Sequence, residues 1–343
     1  MLKEILQAYD INSDDCSITA FGTGLINHTW KITKGGDAFI LQRINTNVFK
    51  QPGAIAANIR AVAGYLHKNF PDYLFVAPVL TATGDDMVFI EEKGYFRLFP
   101  FVKKSHTVDT VSSPQQAYEA ARQFGAFTKK MAAFPAASLQ ITIPDFHNLS
   151  LRYQQFENAL QNGNRQRMAA AATTIQELKN NAAITETFET IKKSSDFKIR
   201  VTHHDTKISN VLFDENDKGL CVIDLDTLMP GYFISDVGDM MRTYLSPVNE
   251  EAHDFSKIEV RPAYIDAVIK GYSDEMQDEL SATEKKYFIY AGKFMIYMQA
   301  LRFLTDYLND DRYYGATYEG HNLVRANNQL ALLQQLILFE EQQ

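Results

Sequence analysis

Short runs of alternating apolar and polar residues dominate the first hundred positions of the chain. A period of two is typical of half-buried strands, and it predicts strands at residues 17–21, 29–33, 38–44, 87–91 and 95–99. Apolar residues at helical spacing predict helices at residues 1–11 and at about 52–67 in the same region. This part of the chain is therefore expected to form a small antiparallel sheet accompanied by one long helix.

Helical periodicity dominates beyond residue 102. It predicts a helix from about residue 113 and further helices within residues 148–194 and 284–308. Two apolar runs flank a polar turn at residues 211–225 and predict a β-hairpin. We therefore predict an α+β protein with two lobes: a small β-sheet lobe at residues 1–102 and a larger, mainly helical lobe at residues 103–343.

Composition excludes several classes of protein. The chain has 343 residues, of which 45% are hydrophobic, so it can bury a large core. A net charge of −8 without a concentrated basic face argues against a nucleic-acid partner. The sequence has no run of 18 apolar residues, which argues against a membrane span. Its start lacks the apolar core expected of a signal peptide. Two cysteines, Cys16 and Cys221, cannot form a disulfide framework, which favours a cytoplasmic protein. The oligomeric state stays open.

Three polar residues with a defined spacing follow the predicted strand at 197–202. His203, Asp205 and Asn210 form an H-x-D-x-x-x-x-N pattern, and Asp224 ends the predicted hairpin. A tight hairpin places the residue before its first strand next to the end of its second, so Asn210 and Asp224 can converge. The pattern is typical of kinase-like phosphotransferases, with Asp205 facing the acceptor hydroxyl and Asn210 and Asp224 holding Mg²⁺ against the nucleotide phosphates. The alternative is a chance match of solvated turn residues, which the three-point spacing disfavours.

With these residues the chain resembles the aminoglycoside phosphotransferase and choline kinase-like family, and the resemblance covers most of the chain. It implies a two-lobed, protein-kinase-like fold that uses ATP and Mg²⁺. Gly22, Gly24 and Asn27 are similar to the family's phosphate-covering loop, whose backbone amides would face the β- and γ-phosphates. The resemblance also places residues 99–102 between the lobes, so Phe99 and Phe101 would lie against the adenine.

Two further aspartates belong to this resemblance. Asp236 is similar to the aspartate that supports the metal-binding segment from the start of the next helix. Asp226 could touch a second metal, cap the next segment or brace the loop.

The phosphate contacts depart from the family pattern. The family usually carries a basic residue on the third strand, paired with an acid in the following helix, whereas this chain has Gln42 and Arg43 on the strand and Asn58 in the helix. Either an amide pair of Gln42 with Asn58 replaces the ion pair, or Arg43 takes the phosphate role. Side chains alternate along a strand, so only one of Gln42 and Arg43 can point into the cleft. Lys207 could contact the γ-phosphate instead, or it could be an exposed loop lysine.

Within this family the chain resembles the N-acetylhexosamine 1-kinases of bacterial sugar salvage, notably at residues 24–29, 39–45, 224–231 and 300–308. The resemblance implies transfer of the γ-phosphate of ATP to the anomeric hydroxyl of N-acetylglucosamine or N-acetylgalactosamine. Residues expected to contact the sugar are Asp205, His28, Arg302, Asp306 and Tyr314. Arg302 and Asp306 stand four apart on a predicted helix, and a structural ion pair is the alternative reading of this pair.

Two other classes of function stay open. The acceptor could be another hydroxyl compound: an aminoglycoside, choline or ethanolamine, or an amino-acid-like alcohol. The departure at Gln42 and Asn58 also leaves room for a pseudokinase that binds nucleotide without turnover, although such proteins typically lose the catalytic aspartate or a metal ligand.

Overall fold

The computed structural model describes residues 2–22 and 27–343, and the chain folds into two compact units. The first, the sheet unit, comprises Met1–His106, Ala133–Pro144 and Leu212–Pro230. The second, the helical unit, comprises Thr107–Ala132, Asp145–Val211 and Gly231–Gln343. The sheet unit thus extends slightly beyond residue 102, to residue 106, and it also includes two later segments at 133–144 and 212–230.

Within the described residues, the sheet unit contains a five-stranded antiparallel sheet of order β1-β2-β3-β5-β4. The strands are β1 (Ser17–Ala20), β2 (His28–Lys34), β3 (Asp37–Arg43), β4 (Val88–Ile90) and β5 (Gly94–Pro100). All of them lie where the alternation predicted strands. The hairpin predicted at residues 211–225 is present as the paired strands Val211–Phe213 and Gly219–Val222.

Two helices accompany the sheet, α1 (Leu2–Gln7) and α2 (Pro52–Asn69). Ile5 and Leu6 of α1 are fully buried against one face of the sheet, where they meet Leu41 of β3. Full burial of such a side chain contributes roughly 1.5–3 kcal/mol. Helix α1 is shorter than the predicted helix at residues 1–11, because Asp10 takes a positive φ of 56° and breaks the helical path.

The helical unit is built from nine helices among its described residues. They are α3 (Pro114–Lys130), α4 (Leu149–Asn162), α5 (Arg165–Ala170), α6 (Ala172–Asn180), α7 (Ala183–Lys193), α8 (Phe233–Tyr244), α9 (Pro262–Met276), α10 (Phe288–Leu308) and α11 (His321–Glu341). Helix α10 is the buried centre and packs on α4, α8 and α11. At Gly238 the backbones of α8 and α10 approach so closely that a Cβ would lie 2.3 Å from the carbonyl oxygen of Ala291. This close contact fixes the position of α8, a helix that carries residues of the candidate site.

The predicted α+β class, with a small antiparallel sheet and a helical bulk, is confirmed. The helix predicted at residues 284–308 is also present, although its first four residues form a 3-10 turn. Across residues 2–22 and 27–343, no helix has both the length and the apolar character needed to cross a membrane.

Candidate active site

The loop after the strand Arg200–Thr202 carries three of the predicted site residues and folds back on itself. Asn210 donates a hydrogen bond from Nδ2 to the carbonyl oxygen of Asp205 at 2.8 Å, and the Asp205 amide donates to Nδ1 of His203 at 3.3 Å. Lys207 Nζ forms an ion pair with the Asp205 carboxylate at 3.2 Å. The Asp205 backbone is therefore held from both sides, while 27% of its side chain stays exposed.

Two buried aspartates near the start of α8 hold this loop by its backbone. Asp236 accepts hydrogen bonds from the amides of residues 203–204 at 3.1 and 2.8 Å, and Asp239 accepts one from the amide of Thr206 at 2.8 Å. Burial raises the pKa of Asp236 to about 6. Burial also raises the pKa of Asp239, although the neighbouring Arg242 opposes this. Both carboxylates fix the direction of the loop through hydrogen bonds to a charged acceptor, which are stronger than neutral ones.

The sequence pattern singled out Asp236 but not Asp239 or Arg242. Arg242 forms ion pairs with Asp239 at 3.0 Å and with Glu250 at 2.7 Å, and Arg325 of α11 also pairs with Glu250. Asp239 and Arg242 are three apart on one helix, a spacing at which opposite charges are neighbours, so this pair could have been found from sequence. The link to Glu250 and α11 depends on tertiary packing.

His204, the residue before Asp205, adopts a positive φ of 66° that is uncommon outside glycine. Its Nδ1 lies 3.3 Å from Nδ1 of His147, whose ring stacks on Phe146 at a centroid distance of 4.4 Å. Burial lowers the pKa of His147 well below its usual value, and the adjacent His204 lowers it further. His147 is therefore uncharged at neutral pH, and one Nδ1–H can be donated between the two rings. No pattern in the sequence indicated His147, which lies 57 positions before its partner.

Gln42 and Arg43 lie on opposite faces of β3. Arg43 shares the face of Leu41, which packs in the core beneath α1. Gln42 lies on the other face, where its Oε1 accepts hydrogen bonds from Nε and Nη2 of Arg97 at 3.2 and 3.0 Å. Of the two alternatives left open, the amide pair of Gln42 with Asn58 is not formed, because the Asn58 amide bonds to the backbone of Gln140 and of residue 228 instead. Of Gln42 and Arg43, Gln42 is therefore the one whose side chain lies on the same face of the sheet as Arg97.

Asp226, which follows the hairpin, forms an ion pair with Arg97. Arg97 Nη1 lies 2.5 Å from Oδ1 of Asp226, and both side chains are almost completely buried. Oδ2 of Asp226 accepts a hydrogen bond from Asn27 at 3.0 Å. Asp224, two residues earlier, has φ 60° and ψ 65° and begins the 3-10 turn Leu225–Thr227. Of the roles left open for Asp226, bracing the loop is the one its contacts show.

The other residues expected to bind nucleotide also belong to the sheet unit. Gly22 has a φ of 76°, in the region that favours glycine, whereas Gly24 lies outside the described residues. Phe99 and Phe101 alternate with Leu98 and so share the face of Arg97 and Gln42. Lys31 Nζ lies 3.9 Å from the centre of the Phe101 ring.

The residues expected to bind the sugar divide between the two units. His28 is exposed on β2 of the sheet unit. In the helical unit, the Arg302 guanidinium lies 5.4 Å from the centre of the Tyr314 ring and 5.8 Å from that of Tyr313. Asp306 is buried and accepts hydrogen bonds from the amides of Tyr313 and Tyr314 at 2.7 and 2.8 Å. Among the described residues Arg302 and Asp306 form no ion pair with each other, so the alternative reading of this pair is wrong.

The small antiparallel sheet and the mainly helical unit are those expected of a protein-kinase-like fold, and the anchored H-x-D loop is the element predicted to carry out phosphoryl transfer. A model of the phosphotransferase enzyme family, APH, matches residues 17–280. The chain belongs to this family, which confirms the resemblance to the aminoglycoside phosphotransferase and choline kinase-like family. It is thus a member of the superfamily of small-molecule kinases.

Several solved structures share this fold and superpose on nearly the whole chain. The microcompartment-associated aminopropanol kinase superposes with a TM-score of 0.69 at 16% identity, covering 99% of this chain and 97% of that one. An aminoglycoside phosphotransferase from Alicyclobacillus acidocaldarius gives 0.64 at 14% identity, with 99% and 96% covered. The amicoumacin kinase in complex with AMP-PNP and Ca²⁺ gives 0.64 at 14% identity, with 97% and 92% covered. At these identities the likeness concerns the fold alone.

Proposed function

We propose that this chain transfers the γ-phosphate of ATP to the anomeric hydroxyl of an N-acetylhexosamine, N-acetylglucosamine or N-acetylgalactosamine, by direct in-line transfer. The observation that carries the kinase assignment is the Asp205 loop, whose backbone is anchored by Asp236 and Asp239 while the carboxylate stays partly exposed. Phosphoryl transfer requires chiefly positioning and electrostatic stabilisation. In this proposal Asp205 accepts a hydrogen bond from the sugar hydroxyl and orients it towards the phosphate.

ATP and Mg²⁺ are the proposed cofactors. The amicoumacin kinase, which shares the fold, was solved with AMP-PNP and Ca²⁺, and this supports an adenine nucleotide with a divalent cation here. The residues proposed to bind the nucleotide are Gly22, Gly24, Asn27, Phe99, Phe101 and Lys207, together with one of Gln42 and Arg43. Between Gln42 and Arg43 we favour Gln42, since it shares a face of the sheet with Arg97 and Phe99.

Asn210 and Asp224 are the proposed metal ligands. Nδ2 of Asn210 is engaged by the Asp205 carbonyl, which leaves Oδ1 as the amide atom able to coordinate a cation. An amide oxygen and a carboxylate are the hard donors that Mg²⁺ prefers, so these residues fit the ion. When bound, magnesium would neutralise charge on the phosphates. The two ligands belong to different units, and their assignment to one ion rests on their spacing in the sequence.

The surroundings of Arg302 in the helical unit support a neutral sugar over a cationic acceptor. Burial lowers the pKa of Arg152, and the positive charge of Arg302 lowers it further, so the two guanidiniums are near neighbours. Among the described residues neither guanidinium forms an ion pair with a carboxylate, although the negative charge of Asp145 partly offsets that of Arg302 at Arg152. A pair of neighbouring guanidiniums disfavours the cationic aminoglycosides and choline, whereas guanidinium N–H groups and the Tyr314 ring suit a polyhydroxylated ring with an acetamido oxygen.

Phosphorus NMR of the purified chain with Mg-ATP tests the substrate. N-acetylglucosamine, N-acetylgalactosamine, choline and kanamycin are supplied in parallel tubes. We expect a new proton-coupled doublet of a sugar 1-phosphate with one or both N-acetylhexosamines. Phosphorylation of choline or kanamycin alone would overturn the sugar assignment but not the family, and intact ATP in every tube would favour the pseudokinase reading.

The Asp205→Asn variant tests the role of the carboxylate. Removing a group that orients and polarises the acceptor should lower kcat by about 10²–10⁴-fold, while the affinity for Mg-ATP measured by calorimetry stays near that of the wild type. Glu215→Gln is the matched control, because Glu215 is an exposed carboxylate on the turn of the neighbouring hairpin. Equal turnover of Asp205→Asn and Glu215→Gln would contradict the assigned role.

A further inference from the structure

Arg97 of β5 is a buried cation on the face of the sheet that carries Gln42. It is 2% exposed, and the antiparallel register places it directly opposite Gln42 of β3. Its guanidinium spans two partners, the Oε1 of Gln42 and the carboxylate of Asp226. It also lies over the ring of Phe99, 5.0 Å from the centroid. The position of Arg97 is therefore determined by contacts with its own strand and with two other segments of the sheet unit.

Asp226 extends this arrangement to the residues that follow the predicted phosphate loop. Its second oxygen accepts a hydrogen bond from Nδ2 of Asn27, and Oδ1 of Asn27 accepts one from the amide of Asn45 at 3.0 Å. The turn Leu225–Thr227 is thus tied to β5 through one carboxylate oxygen and to Asn27 through the other. Both anchors act on the turn that begins at Asp224.

A buried ion pair of this kind is a poor device for stability alone. Desolvation of two charges offsets much of their attraction, and apolar residues of similar volume often stabilise a fold as well or better. What the planar guanidinium of arginine supplies is reach to two partners at once, since Arg97 donates hydrogen bonds to Gln42 and pairs by charge with Asp226. The acceptor fixed here lies two residues after Asp224, whose left-handed conformation has to be held by its surroundings.

We propose that Arg97 is a positioning residue which, through Asp226, sets the orientation of the Asp224 turn and thereby the affinity for the metal–nucleotide. The inference rests on the proposed function, since it takes Asp224 as a metal ligand. Arg97 is too deeply buried to be assigned a contact with the nucleotide itself. Residues that orient a metal ligand from behind typically change metal affinity or activity by about 10–100-fold when they are replaced.

Binding of Mn²⁺ and ADP without any acceptor tests this role independently of turnover. The free and bound Mn²⁺ are measured by electron paramagnetic resonance at a fixed ADP concentration, for the wild type, Arg97→Met, Asp226→Asn and the double variant. We expect each single variant to bind Mn²⁺–ADP about 10–100-fold more weakly. If Arg97 acts through Asp226, the double variant should be no weaker than the weaker single variant.

Leu41→Ala separates positioning from a general loss of stability. Leu41 lies next to Gln42 on β3 but on the opposite face, and it is fully buried in the core. This variant should lower Tm at least as much as Arg97→Met and still bind Mn²⁺–ADP within about two-fold of the wild type. If Arg97→Met lowers Tm and leaves Mn²⁺–ADP affinity unchanged, Arg97 is only structural and the inference fails.

Two further results distinguish this inference from the proposed function. Arg97→Lys keeps the charge but cannot span both acceptors, so it should fold even if Arg97→Met does not, and it should weaken Mn²⁺–ADP binding by a smaller factor. Wild-type affinity in Arg97→Lys together with wild-type affinity in Asp226→Asn would also refute the role. A wild-type chain that does not bind Mn²⁺–ADP at all would overturn the proposed function and this inference with it.

Discussion

Substitution of Gly231 by alanine should distort the loop that carries Asp205. A Cβ at this position would lie 2.5 Å from Cε1 and 2.8 Å from Nε2 of His204, and 2.9 Å from Oγ1 of Thr202. Heavy atoms cannot approach so closely, so the His204 ring or the backbone of residue 231 has to move. Neither movement is easy within the helical unit.

The His204 ring is buried and restrained on several sides. It lies against His147 at 3.3 Å, and its backbone amide is bound to Asp236 at 2.8 Å. Overpacking of a tight site typically costs about 1–3 kcal/mol, and with three short contacts we expect about 2 kcal/mol. For a unit of this size that corresponds to a fall in Tm of roughly 4–8 °C. Because His204 is bonded to Asp205, a displacement of about 1 Å would lower kcat by up to about 10²-fold.

Thermal unfolding and steady-state kinetics of Gly231→Ala measure both effects, with Gly53→Ala as the matched control. Gly53 lies at the start of α2 with nothing within 4 Å of an added Cβ, so its replacement should be neutral or stabilise by up to about 1 kcal/mol. In a His204→Gly background, which lacks the ring and accepts the positive φ, the further change Gly231→Ala should cost much less stability than it does in the wild type. Wild-type Tm and kcat in Gly231→Ala would refute the reasoning.

Two further predictions concern buried carboxylates of the helical unit. The folded pKa of Asp236 is about 6, above its unfolded value of about 3.9, so the folded chain binds this proton more tightly. Between pH 7 and pH 4, protonation of Asp236 should therefore add about 2 kcal/mol to the free energy of unfolding, while turnover falls because the neutral carboxyl is a weaker acceptor for the loop amides. Both trends, measured by denaturant titration and a pH–kcat profile, should be lost in Asp236→Asn; identical profiles in the variant would contradict this. Asp306→Ala should cost about 1–3 kcal/mol and raise KM for the acceptor, since it leaves the amides of Tyr313 and Tyr314 without their acceptor. Asp306→Asn retains one oxygen and should lose less, and an unchanged KM in both variants would rule out a role in shaping the acceptor site.

Much of the secondary structure could be read from the sequence, because it depends on periodicity within a few residues. Alternation located β1 to β5, and the apolar runs around a polar turn located the hairpin after Asn210. The spacing of His203, Asp205 and Asn210 indicated a single loop, and these residues do contact one another. Helix α1 was predicted too long because its apolar residues continue past Gln7 as a turn that is equally buried.

What the tertiary structure decided is which distant residues meet. Alternation shows that Gln42 and Arg43 point to opposite faces, but only the packing of α1 decides which face is the core. Arg97 looks like an ordinary charged residue in a strand until folding buries it with Asp226, 129 positions further along the chain. A buried charge is strongly destabilising unless the fold places a partner of opposite charge beside it. Local patterns therefore determined the elements and the loop chemistry of this protein, whereas the groups that hold that chemistry in place were determined by long-range burial.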